Sequence, residues 1–145
     1  MLRESFTRVY SKFKLHFYQK VFERWKDREA SLTTVETFCM EIINAAGEPT
    51  VNEFAKLANL SSPNAAYKVN NLVKKGYLEK VQSREDKREY HLRVTQKYLD
   101  YYNISYQYMD TVLKRMEERF SLEEIEILVR MLRIMDEELM SEIQI

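Results

Sequence analysis

Thr50-Val51-Asn52-Glu53-Phe54-Ala55-Lys56-Leu57-Ala58-Asn59-Leu60-Ser61-Ser62-Pro63-Asn64-Ala65-Ala66-Tyr67-Lys68-Val69-Asn70-Asn71-Leu72-Val73-Lys74-Lys75-Gly76 contains two helix starts and one helix stop in quick succession. Thr50 is placed to cap a helix, with Glu53 three residues on to complete a capping box. Phe54, Leu57 and Ala58 then fall on one face at helical spacing. A second start follows, with Ser62 as the cap and Pro63 at the first helical position, where its missing N–H costs nothing. Only Leu60 and Ser61 remain to turn the chain. The second helix should run from Pro63 to Lys75, about 20 Å at 1.5 Å per residue, and Gly76 stands where a left-handed residue would end it. Ala65 or Ala66, Val69, Leu72 and Val73 form its apolar stripe. Asn64, Tyr67, Lys68, Asn70, Asn71, Lys74 and Lys75 form its polar one.

Beyond Gly76 the period changes from helical to alternating. Leu78 and Val81 read as one strand, and Tyr90, Leu92 and Val94 alternate with Glu89, His91 and Arg93 in a second. Between them Ser83-Arg84-Glu85-Asp86-Lys87 has no apolar residue and makes a charged hairpin tip. Two helices across a tight turn, followed by a basic hairpin, is the order of a winged helix-turn-helix. Such a helix fits the major groove of B-DNA and presents side chains to base edges. Lysine and arginine neutralise phosphates and fix the register.

The charge distribution agrees with that order although the net charge does not. The 145 residues hold 23 basic and 23 acidic side chains, a formal charge of zero. Residues 61 to 95 carry eight Lys and Arg against four acids, whereas residues 96 to 145 carry six against eleven. The basic field therefore belongs to the proposed reading head. With only two Gly and two Pro, the chain reads as mostly helical. One cysteine, Cys39, cannot form an internal disulfide and suits a reducing compartment as core filler. No apolar run is long enough for a secretion signal or a membrane span, so no membrane partner and a cytoplasmic location are expected.

Outside the reading head the pattern is long amphipathic helix. Phe6, Val9, Tyr10, Phe13, Phe17, Val21, Phe22 and Trp25 recur at spacings of three and four over residues 3 to about 26. A helix from Leu32 to Ala45 uses Val35, Phe38, Cys39, Ile42 and Ile43. Leu99, Tyr102, Tyr106, Met109, Leu113 and Met116 predict one helix over residues 96 to 119. A capping box, Ser121 with Glu124, then opens a last helix reaching Leu139. Three such stripes exceed what the central motif can cover, and a second copy of the same surface in a two-fold dimer is the natural destination. That symmetry would set two reading helices one turn of DNA apart, about 34 to 36 Å.

The segment Asp86-Lys87-Arg88-Glu89-Tyr90-His91-Leu92-Arg93-Val94-Thr95 resembles the Asp-x-Arg-x-x-x-Leu-x-Leu-Thr wing pattern of the multiple-antibiotic-resistance regulator (MarR) family, with Val94 for the second Leu. Asn70 to Lys80 is similar to that family's Leu-Glu-x-x-Gly-Leu-Ile-x-Arg ending of the recognition helix. Leu32-Thr33-Thr34-Val35-Glu36 resembles its Leu-Thr-x-x-Gln start. The resemblance covers nearly the whole chain and is tightest at the wing. Val73 stands for a common Glu, Tyr98 for a common Gly, and Ala66 for a Thr that often contacts DNA.

The resemblance implies a mainly α fold with a small β-hairpin wing, dimerised through its N- and C-terminal helices. It divides a single domain, residues 1–145, into a winged helix-turn-helix region at 31–95 and dimerisation helices at 1–28 and 96–145. It implies a sequence-specific regulator of transcription, a repressor, binding a palindromic operator as a homodimer and released by a small aromatic or lipophilic effector. Ser62, Asn64, Tyr67, Lys68, Asn71 and Lys75 become candidates for DNA contact on the helix, and Arg84, Lys87 and Arg88 on the wing. Arg88 is the minor-groove candidate, against an ion pair with Asp86 or Glu85, and Asp86 the residue that holds the wing's shape. Phe13, Phe17, Tyr102 and Tyr106 are surplus aromatics that either line an effector pocket or pack the dimer.

No catalytic, cofactor or metal constellation competes with this reading. His16, His91 and Cys39 lie in three different elements, no spacing fits zinc, and two glycines make no phosphate-cradling loop. The competing class is a winged helix that docks another protein and never reads DNA. Convergence of Lys68, Lys75, Arg84, Lys87 and Arg88 on one face would discriminate against it.

Overall fold

Thr50 and Glu53 cap each other at 3.2 Å in both directions, which fixes where the first of the two short helices begins. The computed structural model describes residues 1–25 and 32–145, and all of their side chains except those of residues 24, 25, 101, 102, 104 and 105. Its helices are α1 (Leu2–Trp25), α2 (Thr34–Ala45), α3 (Val51–Leu57), α4 (Ser62–Lys74), α5 (Gln96–Tyr102), α6 (Ile104–Arg119) and α7 (Leu122–Ile134). Strands β1 (Leu78–Gln82) and β2 (Tyr90–Val94) lie between α4 and α5. The chain divides into two compact units, one of Gln19–Asn103 and the other of Met1–Tyr18 with Ile104–Gln144.

The first of these units has a continuous core. Met40, Ile43, Phe54, Ala65, Val69, Leu72, Tyr77, Leu78, Leu92 and Tyr98 are almost wholly removed from water. They come from α2, α3, α4, both strands and α5, so each short element is held by the apolar surface it buries rather than by its own length. Two left-handed residues shape the α3–α4–wing path. Asn59, at φ 53, ends α3 with its N–H on the Lys56 carbonyl and that of Leu60 on Ala55. Gly76, at φ 83, ends α4 in the same way, with its N–H on Val73 and that of Tyr77 on Leu72. Both are Schellman closures, which satisfy carbonyls that a helix end otherwise leaves open.

The start of α4 differs by one residue from expectation. Ser61, not Ser62, is the cap, its hydroxyl accepting from the Asn64 N–H at 3.4 Å, and Pro63 follows inside the first turn. Both serines can cap, and proline is tolerated throughout the first turn, so the local pattern did not separate them. Helix α2 opens later than Leu32, on a capping box between Thr33 and Glu36.

The strands pair antiparallel from Leu78↔Val94 to Gln82↔Tyr90. A third rung joins them to the chain entering α3: Thr50 bridges to His91, and the Leu92 N–H donates to the Pro49 carbonyl at 2.8 Å. Leu92 is buried, but Tyr90 on the same side of the strand is exposed, because it lies past the edge of the core.

The single helix expected over residues 96 to 119 is two. Asn103, at ψ 54, interrupts it, and α5 packs with the reading unit through the buried Tyr98. The apolar spacing runs in phase across the break, which is why periodicity carried no sign of it. The last helix also leaves α geometry early, passing at Met135–Leu139 into a π-helical turn.

In the unit of α6, α7 and the first 18 residues, no described side chain is buried. Phe6, Val9, Tyr10 and Leu15 on α1, Met109 and Leu113 on α6, and Ile127, Val129, Met131 and Leu132 on α7 are all exposed. The Phe13 ring meets Tyr108 edge-on at 5.6 Å, and His16 stacks on the same tyrosine at 3.7 Å.

Candidate nucleic-acid interface

On α4 the residues opposite the buried Ala65–Val69–Leu72 stripe are Asn64, Tyr67, Asn71 and Lys74, which recur at helical spacing along one face. Tyr67 stands at its centre with 68% of its surface in water. Ser62 is exposed at the helix start, and Lys68 is half-buried on the flank toward α2. Lys75 is differently occupied: its ammonium binds both oxygens of Glu36 at 2.9 and 2.8 Å. Glu36 is only 12% exposed. Burial alone would raise its carboxyl pKa, but the bonds from Lys75 and from the Thr33 backbone outweigh this and hold it below the usual range. Lys75 thus ties α4 to α2, a role that no local pattern could reveal with 39 residues between the partners.

The wing tip is built around Asp86. Its carboxylate accepts the Arg88 backbone N–H at 3.0 Å and the Arg88 guanidinium through two bonds of 3.1 Å. The Arg88 side chain and then its backbone N–H hold the Asp86 carboxyl below the usual range. The Ser83 hydroxyl accepts from the Glu85 and Asp86 amides, and Gln82 donates to the Lys87 carbonyl. Arg88 keeps 90% of its side chain in water while paired. Of the two roles the sequence offers Arg88, DNA contact and an ion pair with Asp86 or Glu85, the pair with Asp86 is present, and it leaves the side chain exposed. Arg84 and Lys87 are exposed beside it.

Two features escaped sequence reasoning. The Lys80 ammonium donates to the Asn70 side-chain oxygen at 2.7 Å, connecting β1 to the solvent side of α4. Beside the wing, Thr50, Val51, Asn52, Lys80, Arg88, Glu89 and Tyr90 line an open hollow of about 160 Å³. At the far side of the wing His91 donates from Nδ1 to the Glu48 carbonyl at 2.8 Å, and Arg93 binds the Glu48 carboxylate at 2.6 Å. Those two basic side chains brace the wing base.

Of the four aromatics considered for an effector pocket, Phe13, Phe17 and Tyr106 are half-buried in the terminal-helix unit, and the Tyr102 side chain lies outside the described residues. Cys39 is buried in the core, and burial pushes its thiol up. That suits a filler rather than a redox sensor. Among the described residues no group of three or more His, Cys, Asp or Glu side chains could hold a metal, and no helix is long and apolar enough to cross a membrane.

Two short helices joined at Asn59, a capped α4 with an exposed polar face, and a basic two-stranded hairpin define a winged helix-turn-helix protein. Residues 32–90 match the MarR family model. Among solved structures the chain is similar to FabT of Streptococcus pneumoniae in complex with DNA, at 22% identity and TM-score 0.62 over 98% of this chain and 97% of that one. It is also similar to a MepR mutant from a multidrug-resistant S. aureus clinical isolate, at 18% identity and TM-score 0.64 over 93% and 94%. S. aureus MepR bound to ethidium bromide matches at 18% identity and TM-score 0.57 over the same shares. A search of curated proteins finds no match.

Proposed function

We propose that the chain acts as a homodimer that represses transcription by binding a roughly palindromic operator, and that a small aromatic or lipophilic compound releases it. The observation that carries this reading is the Lys80–Asn70 bond, which sets the basic wing beside the polar face of α4 in one unit. Asn64, Tyr67, Lys68 and Asn71 then enter the major groove, Ser62 meets the backbone at the helix start, and Arg84, Lys87 and Arg88 follow phosphates into the adjoining minor groove. Lys75 contributes by fixing α4 while bound to Glu36. The terminal-helix unit, with no described side chain buried, is the surface for the second copy. Release by a compound is supported by the half-buried aromatics Phe13, Phe17 and Tyr106 of the terminal-helix unit and by the likeness to S. aureus MepR bound to ethidium bromide.

The test is operator affinity at several salt concentrations. A steep fall in log affinity with log salt is the expected result, since each neutralised phosphate releases counterions. A flat slope, or no specific binding to any promoter fragment, would leave a protein-docking winged helix instead. A compound that displaces the protein must bind its DNA-free form more tightly than its DNA-bound form.

A further inference from the structure

Helix α4 contains no arginine, glutamine, aspartate or glutamate between Ser62 and Lys74. Direct reading of guanine uses Arg or Lys on O6 and N7, and direct reading of cytosine uses a carboxylate on N4. Adenine is read by a side-chain amide on N6 and N7, and thymine is recognised by apolar contact with its methyl group. The face that α4 turns to water offers the second set. Asn64 and Asn71 stand two turns apart with Tyr67 between them, a stripe about 10 Å long at 1.5 Å per residue, or roughly three base-pair steps.

The lysines do not upset this count. Lys75 is held by Glu36, Lys74 lies in the last turn at the far end of the stripe, one turn beyond Asn71, and Lys68 is half-buried on the side of Cys39 of α2. Asn70 already accepts from Lys80. The wing points the same way by a separate route, because an exposed arginine such as Arg88 is drawn to the narrow, electronegative minor groove of A-tracts.

Building on the operator reading above, we infer that the half-site under α4 is dominated by A·T pairs. The Asn64 and Asn71 amides read adenine, Tyr67 lies against a thymine methyl, and Lys68 and Lys74 admit at most one guanine each. Arg88 favours a further A·T run under the wing.

Selection of bound duplexes from random DNA should return half-sites in which A·T pairs fill the α4 positions. Replacing each such pair in turn by inosine·cytosine presents the major-groove face of G·C while keeping the minor-groove face of A·T. Each replacement read by Asn64 or Asn71 should cost about tenfold in affinity. Asn64→Ala and Asn71→Ala should each reduce the discrimination at one position to under about threefold, with an unchanged salt slope and an unchanged melting temperature. Selection of G·C pairs at these positions, or equal binding of the inosine duplexes, overturns the base assignment and leaves the regulator standing. Failure to select any duplex overturns both.

Discussion

The Lys80 ammonium on β1 and the Asn70 side-chain oxygen on α4 lie 2.7 Å apart, so the wing and the reading helix share a bond at the surface both would turn to DNA. Asn70 also lies beside Asn71, whose amide is proposed to read a base. Lys80→Ala should therefore weaken operator binding more than the loss of one phosphate contact would. The check is the affinity ratio to wild type at two salt concentrations: an effect that persists at high salt is one of position rather than charge.

Arg88→Ala should lower operator affinity about tenfold, the order expected for one groove-reading arginine, with the circular dichroism spectrum unchanged. Asp86→Ala should lower it as well, although Asp86 is an anion, because the Arg88 backbone N–H and guanidinium both lose the acceptor that sets the tip. Improved binding by Asp86→Ala, as simple charge counting predicts, would show that the tip geometry is dispensable.

Ser61→Ala should cost about 1 kcal/mol in urea unfolding, the usual loss on removing a helix cap, whereas Ser62→Ala should stay within about 0.5 kcal/mol. A larger cost for Ser62→Ala than for Ser61→Ala would return the cap to Ser62.

Glu36 is a carboxylate of the reading unit whose pairing makes stability depend on pH. Its folded-state pKa lies below the ordinary 4.5, so its contribution is complete at neutral pH and fades as pH falls through the lower folded value. Glu36→Gln should cost roughly 1.5–3 kcal/mol at pH 7, the range for a hydrogen bond to a charged group. The difference from wild type should shrink in acid, as the wild-type carboxylate protonates below the ordinary 4.5. Chemical denaturation at pH 7 and at pH 3 measures both.

Tyr98→Phe should cost roughly 1.5–3 kcal/mol, because the tyrosine hydroxyl donates to the Glu41 carboxylate at 2.6 Å in a partly buried setting. The shift in thermal unfolding midpoint reports it. Tyr98 stands where MarR-like sequences often have glycine, and the structure accounts for the larger residue: its ring fills the core between α2 and α5.

What the sequence disclosed was whatever short-range chemistry dictates. The Thr50–Glu53 box, the positive φ of Gly76, the register of an alternating strand around Leu92 and the charged tip about Asp86 each follow from residues within a few positions of one another. Asn59 was harder, because asparagine adopts a left-handed conformation only where tertiary packing favours it. The Asn103 break was hidden by apolar spacing that continues in phase on both sides. For the candidate interface, the composition of the α4 face was legible, but its division into exposed and engaged side chains was not. Lys75 with Glu36, Lys80 with Asn70 and Arg93 with Glu48 are pairings across 39, 10 and 45 positions, which only the folded chain brings together.

The rung between Thr50 and His91, with the Leu92 amide on Pro49, stitches the wing by its backbone to the residue that caps α3. These bonds, with that of Lys80 to Asn70, fasten the base of the hairpin to the helix pair and so set the gap between wing and α4. When the grooves of a duplex do not match that gap, the strain of fitting falls on the double helix, and stiffness of the target enters the affinity alongside its sequence.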